Sequence, residues 1–150
     1  MLFDTPQQEH RSSKIRRYII TAVVFLAIVF GTTWYLLRYY KEKDTVREFL
    51  SEVAAGKMQL AYEMWKPSAS YSFKDFMEDW GPSGYYGPVG SYRVERTTRR
   101  SDSNYLDVIV EVSPYKPFPA DDPAKQSKTQ EVDIGVRLSD QGLSLPPPAL

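Results

Sequence analysis

The chain has 150 residues, 42% of them hydrophobic and 25% charged, and its 19 Lys and Arg equal its 19 Asp and Glu. Balanced charge provides no field that would attract nucleic acid, so we expect no nucleic-acid partner. The absence of cysteine excludes disulfides, thiolate catalysis and thiolate-bound metals. The single histidine, His10, lies near the start of the chain, which excludes histidine-based catalysis and histidine metal sites from the remainder.

An uncharged run occupies positions 18–37, YIITAVVFLAIVFGTTWYLL. At about 1.5 Å of rise per residue, a helix of this length spans the roughly 30 Å hydrocarbon core of a bilayer. Basic residues bracket the run, and aromatic residues, which favour the membrane interface, crowd its second end. These flanking residues are Arg16, Arg17, Arg38, Lys41 and Lys43, with Trp34, Tyr35, Tyr39 and Tyr40. We therefore predict a single transmembrane anchor at 18–40, with the lipid bilayer as a partner.

Two other interpretations of the apolar run remain open. A secretory signal also has basic residues before an apolar stretch, but this stretch is longer than usual and no small-residue cleavage site follows it. A buried helix of a soluble protein usually keeps a polar stripe, which positions 19–30 lack. Basic residues on the two sides of the run are equal in number, so the expected orientation, with the N-terminus in the cytoplasm, rests on the short basic tail that abuts the run.

Three helices are predicted after the anchor, where the remaining length suffices for one domain. Apolar residues recur at helical spacing over 46–54, with Asp44 as the expected N-cap. A second helix is predicted over 58–65. A third is predicted over 73–80, where Ser72 and the acidic residue three positions later have the spacing of a capping box. The first two helices should form a hairpin.

Strands follow the helices. Apolar and polar residues alternate over 92–97 and over 106–112, which predicts two antiparallel strands. A proline-rich connection at 114–123 precedes a third alternating segment at 131–138, and 143–145 is long enough for a short fourth strand. Helices first and strands last define an α+β domain in which helices cover one face of an antiparallel sheet.

Several segments of the chain carry a resemblance to a known family. They are TVREFL at 45–50, GKMQLAYEMWKP at 56–67 and FKDFM at 73–77. The V-x-x-F-L helix, the G-x-x-x-x-A-Y segment and the strands after them resemble membrane-anchored bacterial members of the nuclear transport factor 2-like, or cystatin-like, superfamily, over 44–138. Members usually end in a strand with a Gly-x-Trp motif, and this chain has QGLSLP at 141–146 instead.

This resemblance implies a cone-shaped fold whose helices and curved antiparallel sheet enclose a pocket. Some members use the pocket as isomerases or dehydratases, and many others bind or assemble with partners, so the fold alone does not select a function. The expected organisation is a cytoplasmic tail at 1–17, the anchor at 18–40, the nuclear transport factor 2-like domain at 44–145 and a proline-rich tail at 146–150. The expected location is the inner (cytoplasmic) membrane, with the C-terminal domain on the periplasmic side.

A surface for a protein partner is predicted around the loop at 81–90, GPSGYYGPVG, because aromatic residues on loops often form contact surfaces. The candidate partner-binding residues are Tyr85, Tyr86, Val89, Arg93 and Arg96. Packing of the two tyrosines over the mouth of the fold is the alternative. The arginines could meet an anionic surface, but strict strand alternation would point Arg93 and Arg96 to opposite faces, which favours a solvated strand end.

A pocket for a small apolar ligand is the second possibility for the domain. The candidate lining residues are Tyr62, Trp65, Phe76, Trp80 and Tyr92, although aromatic residues at helical spacing are more typical of a core. Carboxylates on the third helix, Asp75 and Asp79, could pair with loop tyrosines, but a solvated helix face explains them better. Oxygen ligands for calcium are offered by Asp102, Asn104 and Asp107. They lack the EF-hand spacing, so a turn is the preferred interpretation.

No catalytic, cofactor-binding or metal-binding residue is assigned from the sequence. Two hypotheses remain. The first is a non-enzymatic interaction or assembly module, held at the membrane as an accessory subunit of a protein complex or as a homo-oligomer. It would bind its partner through the loop at 81–90, the proline-rich segment at 114–123 or the open edge of the sheet. The alternative is a domain that binds a small apolar ligand, or a degenerate enzyme, using the pocket of the fold.

Overall fold

The chain forms two compact units, described here from a computed structural model that covers residues 7–100 and 103–145, with side chains from residue 13 onward. The first unit ends at Arg38 and the second begins at Tyr39. The described residues of the first unit form one helix, α1 (Gln7–Leu37), of 31 residues.

The apolar side chains of α1 are exposed along its length, Phe30 for example to 75% and Leu26 to 64%. Its most apolar window has a mean hydropathy of 2.1 and is 0% buried, whereas the core helix of a soluble protein is mostly buried. The hydroxyls of Thr21 and Thr32 donate to carbonyls four residues earlier, at 2.9 and 2.8 Å, so the helix satisfies them internally. By length and composition α1 can cross a membrane, and a signal sequence would meet the same two criteria.

The described part of the second unit contains four helices: α2 (Tyr40–Ala54), α3 (Met58–Trp65), α4 (Phe73–Trp80) and α5 (Pro123–Gln126). The predictions for α3 and α4 are confirmed. The prediction of Asp44 as an N-cap is wrong, because α2 begins four residues earlier and its N-cap position is Tyr39. The residues Lys41 to Lys43 are good helix formers, so the helix extends past the residue whose side chain suggested a start.

Side chains cap two of these helices. Ser72 Oγ accepts a hydrogen bond from the backbone N–H of Asp75, at 3.2 Å, and Asp75 Oδ2 accepts one from the backbone N–H of Ser72, at 2.8 Å. This confirms the predicted capping box. The short α5 was not predicted. The Asp122 side chain caps α5 by accepting hydrogen bonds from the backbone N–H groups of Ala124 and Lys125. Pro123 occupies the first position of the helix.

The strands form one antiparallel sheet in the order β1 (Ser91–Arg99), β2 (Tyr105–Ser113), β3 (Gln130–Arg137) and β4 (Leu143–Ser144). Each strand pairs with its neighbours in sequence, so the sheet is a meander. The predicted strands and the short fourth strand are confirmed, and with the helices they define an α+β architecture.

One face of the sheet is apolar and packs against the helices. Helix α2 contacts β1, β2 and β3 through a buried stripe that includes Val46, Phe49 and Leu50. Register pairs such as Val108 with Ile134 place even-numbered residues of β2 and β3 on this face. The buried sheet residues there are Leu106, Val108, Val110, Val112, Val132, Ile134, Val136 and Leu143. Burial of these two complementary apolar surfaces holds the domain together.

Arg93 and Arg96 lie on one face of the sheet because β1 contains a bulge between them. Arg93 pairs with Glu111 and Arg96 pairs with Ile109, with a register shift between Val94 and Arg96. Directly opposed residues share a face, and Glu111 and Ile109 lie two positions apart in β2, so both arginines lie on the same face. The prediction of opposite faces is wrong because the extra residue of a bulge reverses the alternation beyond it.

Candidate functional site

The loop at 81–90 is held by a dense set of backbone hydrogen bonds. Tyr85 N–H donates to the carbonyl of Glu78 at 2.9 Å and Tyr86 N–H to the carbonyl of Asp79 at 2.8 Å, which folds the loop back onto the last turn of α4. Two further bonds lie within the loop, and its final residue donates to the last residue of β2. The loop therefore presents its tyrosines from a defined backbone.

Glycines permit this compact backbone. A Cβ added at Gly87 would lie 1.8 Å from the carbonyl oxygen of Gly81, and one at Gly84 would lie 2.8 Å from the carbonyl group of Asp79. No side chain fits at these distances, because the backbone approaches more closely than a methyl group allows. The spacing of the glycines thus encodes a turn in which each third residue meets another segment of main chain.

The three loop residues predicted to bind a partner differ in exposure. Tyr85 is 73% exposed, whereas Val89 is 8% exposed and belongs to the core, so Val89 offers no surface to a partner. Tyr86 is partly buried against Trp80, with ring centroids 5.0 Å apart, and Tyr85 meets its edge at 4.8 Å. Burial also raises the pKa of the Tyr86 phenol. The loop therefore presents one aromatic ring, Tyr85, backed by a packed second ring.

The predicted arginines are paired with carboxylates. Arg93 Nη2 lies 2.8 Å from Glu111 Oε2, and Arg96 Nη2 lies 3.4 Å from Glu131 Oε1. The guanidinium of Arg93 also covers the ring of Phe118, 4.7 Å from its centroid. These exposed pairs contribute little stability individually, but they offset the positive charge that an anionic partner would need.

The predicted ligand-pocket residues lie mainly in the aromatic core. Trp65, Phe76 and Trp80 are 0 to 3% exposed. Their rings surround Phe49, at centroid distances of 5.0 Å for Trp65, 5.1 Å for Trp80 and 6.2 Å for Phe76. Edge-to-face and tilted contacts at these distances are typical of packed aromatic clusters. The core interpretation of the aromatic stripes is confirmed.

The two tyrosines of the predicted pocket lie at the borders of this cluster. Tyr62 packs against Phe76, with centroids 5.5 Å apart, and its hydroxyl donates to the carbonyl of Tyr71 at 2.8 Å. The Tyr92 hydroxyl donates to the carbonyl of Arg47 on α2 at 3.0 Å. Both hydroxyls therefore join elements of the domain to one another.

A tyrosine and carboxylate pair that was not predicted lies beside α4. The Tyr71 hydroxyl donates to Asp79 Oδ2 at 2.6 Å, and burial, together with this bond, raises the pKa of Tyr71. Asp79 is half-buried rather than part of the predicted solvated face, whereas its neighbour Glu78 is exposed. The sequence held no direct signal for this pair, because Tyr71 lies in a loop whose conformation depends on tertiary packing.

No group of three or more His, Cys, Asp or Glu in the part of the chain with described side chains is arranged to hold a metal ion. Asp107, one of the calcium candidates, instead accepts from Arg100 Nη2 at 2.9 Å and from its Nε at 3.2 Å. Asp102 lies outside the described residues.

No family model matches the chain, and no curated protein or solved structure is significantly similar to it.

Proposed function

We propose that the protein is a single-pass, membrane-anchored and non-enzymatic interaction module that serves as an accessory or scaffold subunit of a membrane protein complex. The observation that carries the proposal is the apolar helix α1, whose exposed side chains require a non-aqueous environment, next in sequence to a domain with a packed core. A module of this kind binds its partner through exposed side chains. Among the described loop residues, Tyr85 is the most exposed aromatic residue.

The fold family and the membrane location of the protein are part of the same proposal. We infer a nuclear transport factor 2-like or cystatin-like fold, supported by the order of helices before an antiparallel meander. We also infer an inner-membrane location with a cytoplasmic N-terminus and a periplasmic domain, supported by the short basic tail that precedes the apolar run.

The alternative of a small apolar ligand within the aromatic cluster has less support. Phe49 and its neighbours occupy the space between the helices with their own rings, so an apolar ligand would have to displace packed side chains. A ligand retained through gentle purification and identified by mass spectrometry would favour this alternative.

The experiment that tests the proposal is affinity purification of the full-length protein from its native membrane in a mild detergent. The proposal predicts a small set of proteins that elute in stoichiometric amounts, identified by mass spectrometry. A partner-free monomer would contradict it, whereas a partner-free homo-oligomer would restrict the partner to a second copy of the chain.

The Tyr85 surface can be tested in the same experiment. Tyr85→Ala should reduce partner recovery, because truncation of a central aromatic contact commonly costs more than 1 kcal/mol of binding free energy. Leu60→Ala is the matched control, since Leu60 is 49% exposed on α3 and lies on another element. Equal recovery with both variants would place the partner contact elsewhere on the domain.

A further inference from the structure

A cleft opens at one end of the sheet. It lies between the segment 66–71, which joins α3 to α4, and the residues of β3 and β4. Its volume is about 400 Å³, which lies within the range of small-molecule sites. Of the candidate partner-binding and ligand-pocket residues predicted from the sequence, Trp65 alone is among the described residues that line it.

Two basic side chains face this cleft. Lys66 has left-handed backbone geometry, with φ of 46°, and its ammonium donates to the backbone carbonyl of Asp140. Arg137 Nη1 lies 2.8 Å from the Asp140 carboxylate, and Arg137 Nε donates to the Tyr105 hydroxyl at 3.3 Å. One carboxylate therefore faces two cations, and a backbone carbonyl does not neutralise an ammonium.

The other cleft residues supply no negative charge. The described lining contains no Asp or Glu, but the Asp140 carboxylate beside it offsets the charge of Arg137, so the two cations and this one carboxylate leave a single positive charge at the cleft. Serine hydroxyls add neutral hydrogen-bonding groups: Ser68 Oγ and Ser70 Oγ lie 2.9 Å apart, and Ser144 lies on β4. Such hydroxyls can donate to the oxygen atoms of an anion.

An aromatic and aliphatic wall completes the cleft. Tyr71 stacks on Trp65, with ring centroids 6.0 Å apart and planes inclined by 27°. Tyr105 lies beside the basic groups, with the Arg137 guanidinium 5.9 Å from its ring centroid, and Leu143 and Leu145 line the β4 side. A flat apolar group can therefore contact this wall while a charged group reaches the cations.

We propose that this cleft binds a small organic anion. Its carboxylate or phosphate group is held by Lys66 and Arg137, and its flat apolar body lies against Tyr71 and Tyr105. Pairing with an anion supplies the negative charge that the cleft lacks, and charge-assisted hydrogen bonds are the strong class of such contacts. This function goes beyond protein assembly, since a contact module needs no such site.

Calorimetric titration of the full-length protein in lipid nanodiscs tests the proposal. The probes are benzoate and phenyl phosphate, with neutral benzyl alcohol and cationic benzamidine as shape-matched controls. We expect an anionic probe to bind at least tenfold more tightly than either control, and the preferred probe distinguishes a carboxylate site from a phosphate site. Equal binding of benzyl alcohol or benzamidine, or no binding of either anion, would overturn the proposal.

The second measurement is the affinity of variants in which Lys66 is substituted. Lys66→Gln should weaken binding of the preferred anionic probe about tenfold, because one charge-assisted contact is lost. Lys74→Gln removes the same charge from an exposed position on α4 and should leave the affinity unchanged. If Lys66→Gln does not fold, Lys66→Gly removes the ammonium at a backbone conformation that glycine adopts freely. Unchanged affinity in a folded Lys66 variant would overturn the proposal.

Discussion

At the scale of single residues, close contacts explain which side chains the domain requires. Gly87 lies where the backbone of the loop turns back against Gly81. The Tyr71 hydroxyl donates a hydrogen bond to the half-buried carboxylate of Asp79. Tyr85, by contrast, contributes its ring mainly to the surface. Residues of one chemical type, such as the tyrosines of this domain, therefore have different roles that depend on what surrounds each hydroxyl and each ring.

Gly87→Ala is expected to destabilise the domain by about 2 kcal/mol, because the new methyl group must displace the Gly81 carbonyl. Denaturant unfolding followed by circular dichroism measures the change. Gly31→Ala is the control, since a Cβ there meets nothing within 4 Å. An unfolding midpoint for Gly87→Ala equal to that of the control would contradict the close approach.

Tyr71→Phe is expected to cost about 2 kcal/mol of unfolding free energy, because the half-buried Asp79 carboxylate loses a hydrogen-bond donor at 2.6 Å. Thermal or denaturant unfolding measures it. Tyr85→Phe removes an exposed hydroxyl and should change stability by less than about 0.5 kcal/mol. Equal stability of the two variants would show that the Tyr71 bond contributes nothing net.

At the scale of elements, local sequence signals determine where a helix begins, whereas tertiary contacts determine which face of a strand a residue lies on. Helix α4 begins where its capping box predicts, since both bonds of that motif lie within four residues. The face of β1 on which Arg96 lies depends instead on a bulge, which the pairing with β2 imposes. Short-range hydrogen bonds are therefore readable from the sequence, whereas strand register beyond a bulge is a property of the pair.

Ser72→Ala should destabilise the domain by about 1 kcal/mol through loss of the α4 cap. The same cap predicts a pH effect. Hydrogen bonds from the Ser72 side chain and backbone lower the pKa of Asp75, so its contribution is present above the unfolded-state pKa and is lost as pH falls through the depressed folded value.

Unfolding measured at pH 7 and well below pH 4 checks both parts, because the carboxyl titrates at about pH 3.9 in the unfolded chain and at a lower pH in the folded domain. The Ser72→Ala penalty should shrink in acid, because protonated Asp75 no longer completes the box. A penalty that is constant over this pH range would contradict the role of the carboxylate.

At the scale of the whole molecule, an apolar helix and a packed domain follow one another along the chain. Positions 18–37 of α1 carry no charged residue and expose apolar side chains, so membrane insertion is the expected fate of this part of the helix. The second unit buries its apolar residues between helices and sheet and leaves charged residues outside. The distribution of apolar surface therefore predicts that the first unit lies in lipid and the second in water.

The substitutions Val24→Arg and Ile28→Arg, made together, should release the protein from membranes, because each central arginine costs about 3 kcal/mol on insertion. Carbonate extraction followed by immunoblotting measures the membrane fraction. Val24→Leu with Ile28→Leu keeps the hydropathy and should stay in the membrane. Mass spectrometry of the membrane-bound wild-type chain should find residues 18–37 retained, and their loss would identify a cleaved signal instead.

The sequence by itself determined the apolar run, the positions of α3 and α4, and the strands, because each depends on local periodicity, capping groups or glycine and proline. Only the tertiary structure decided that Arg93 and Arg96 share a face, that Val89 is buried and that Tyr71 meets Asp79. Only the tertiary structure, too, brings Lys66 and Arg137 to one cleft. The physical reason is that hydrogen bonds within a turn act between neighbours in sequence, whereas packing and charge act between neighbours in space.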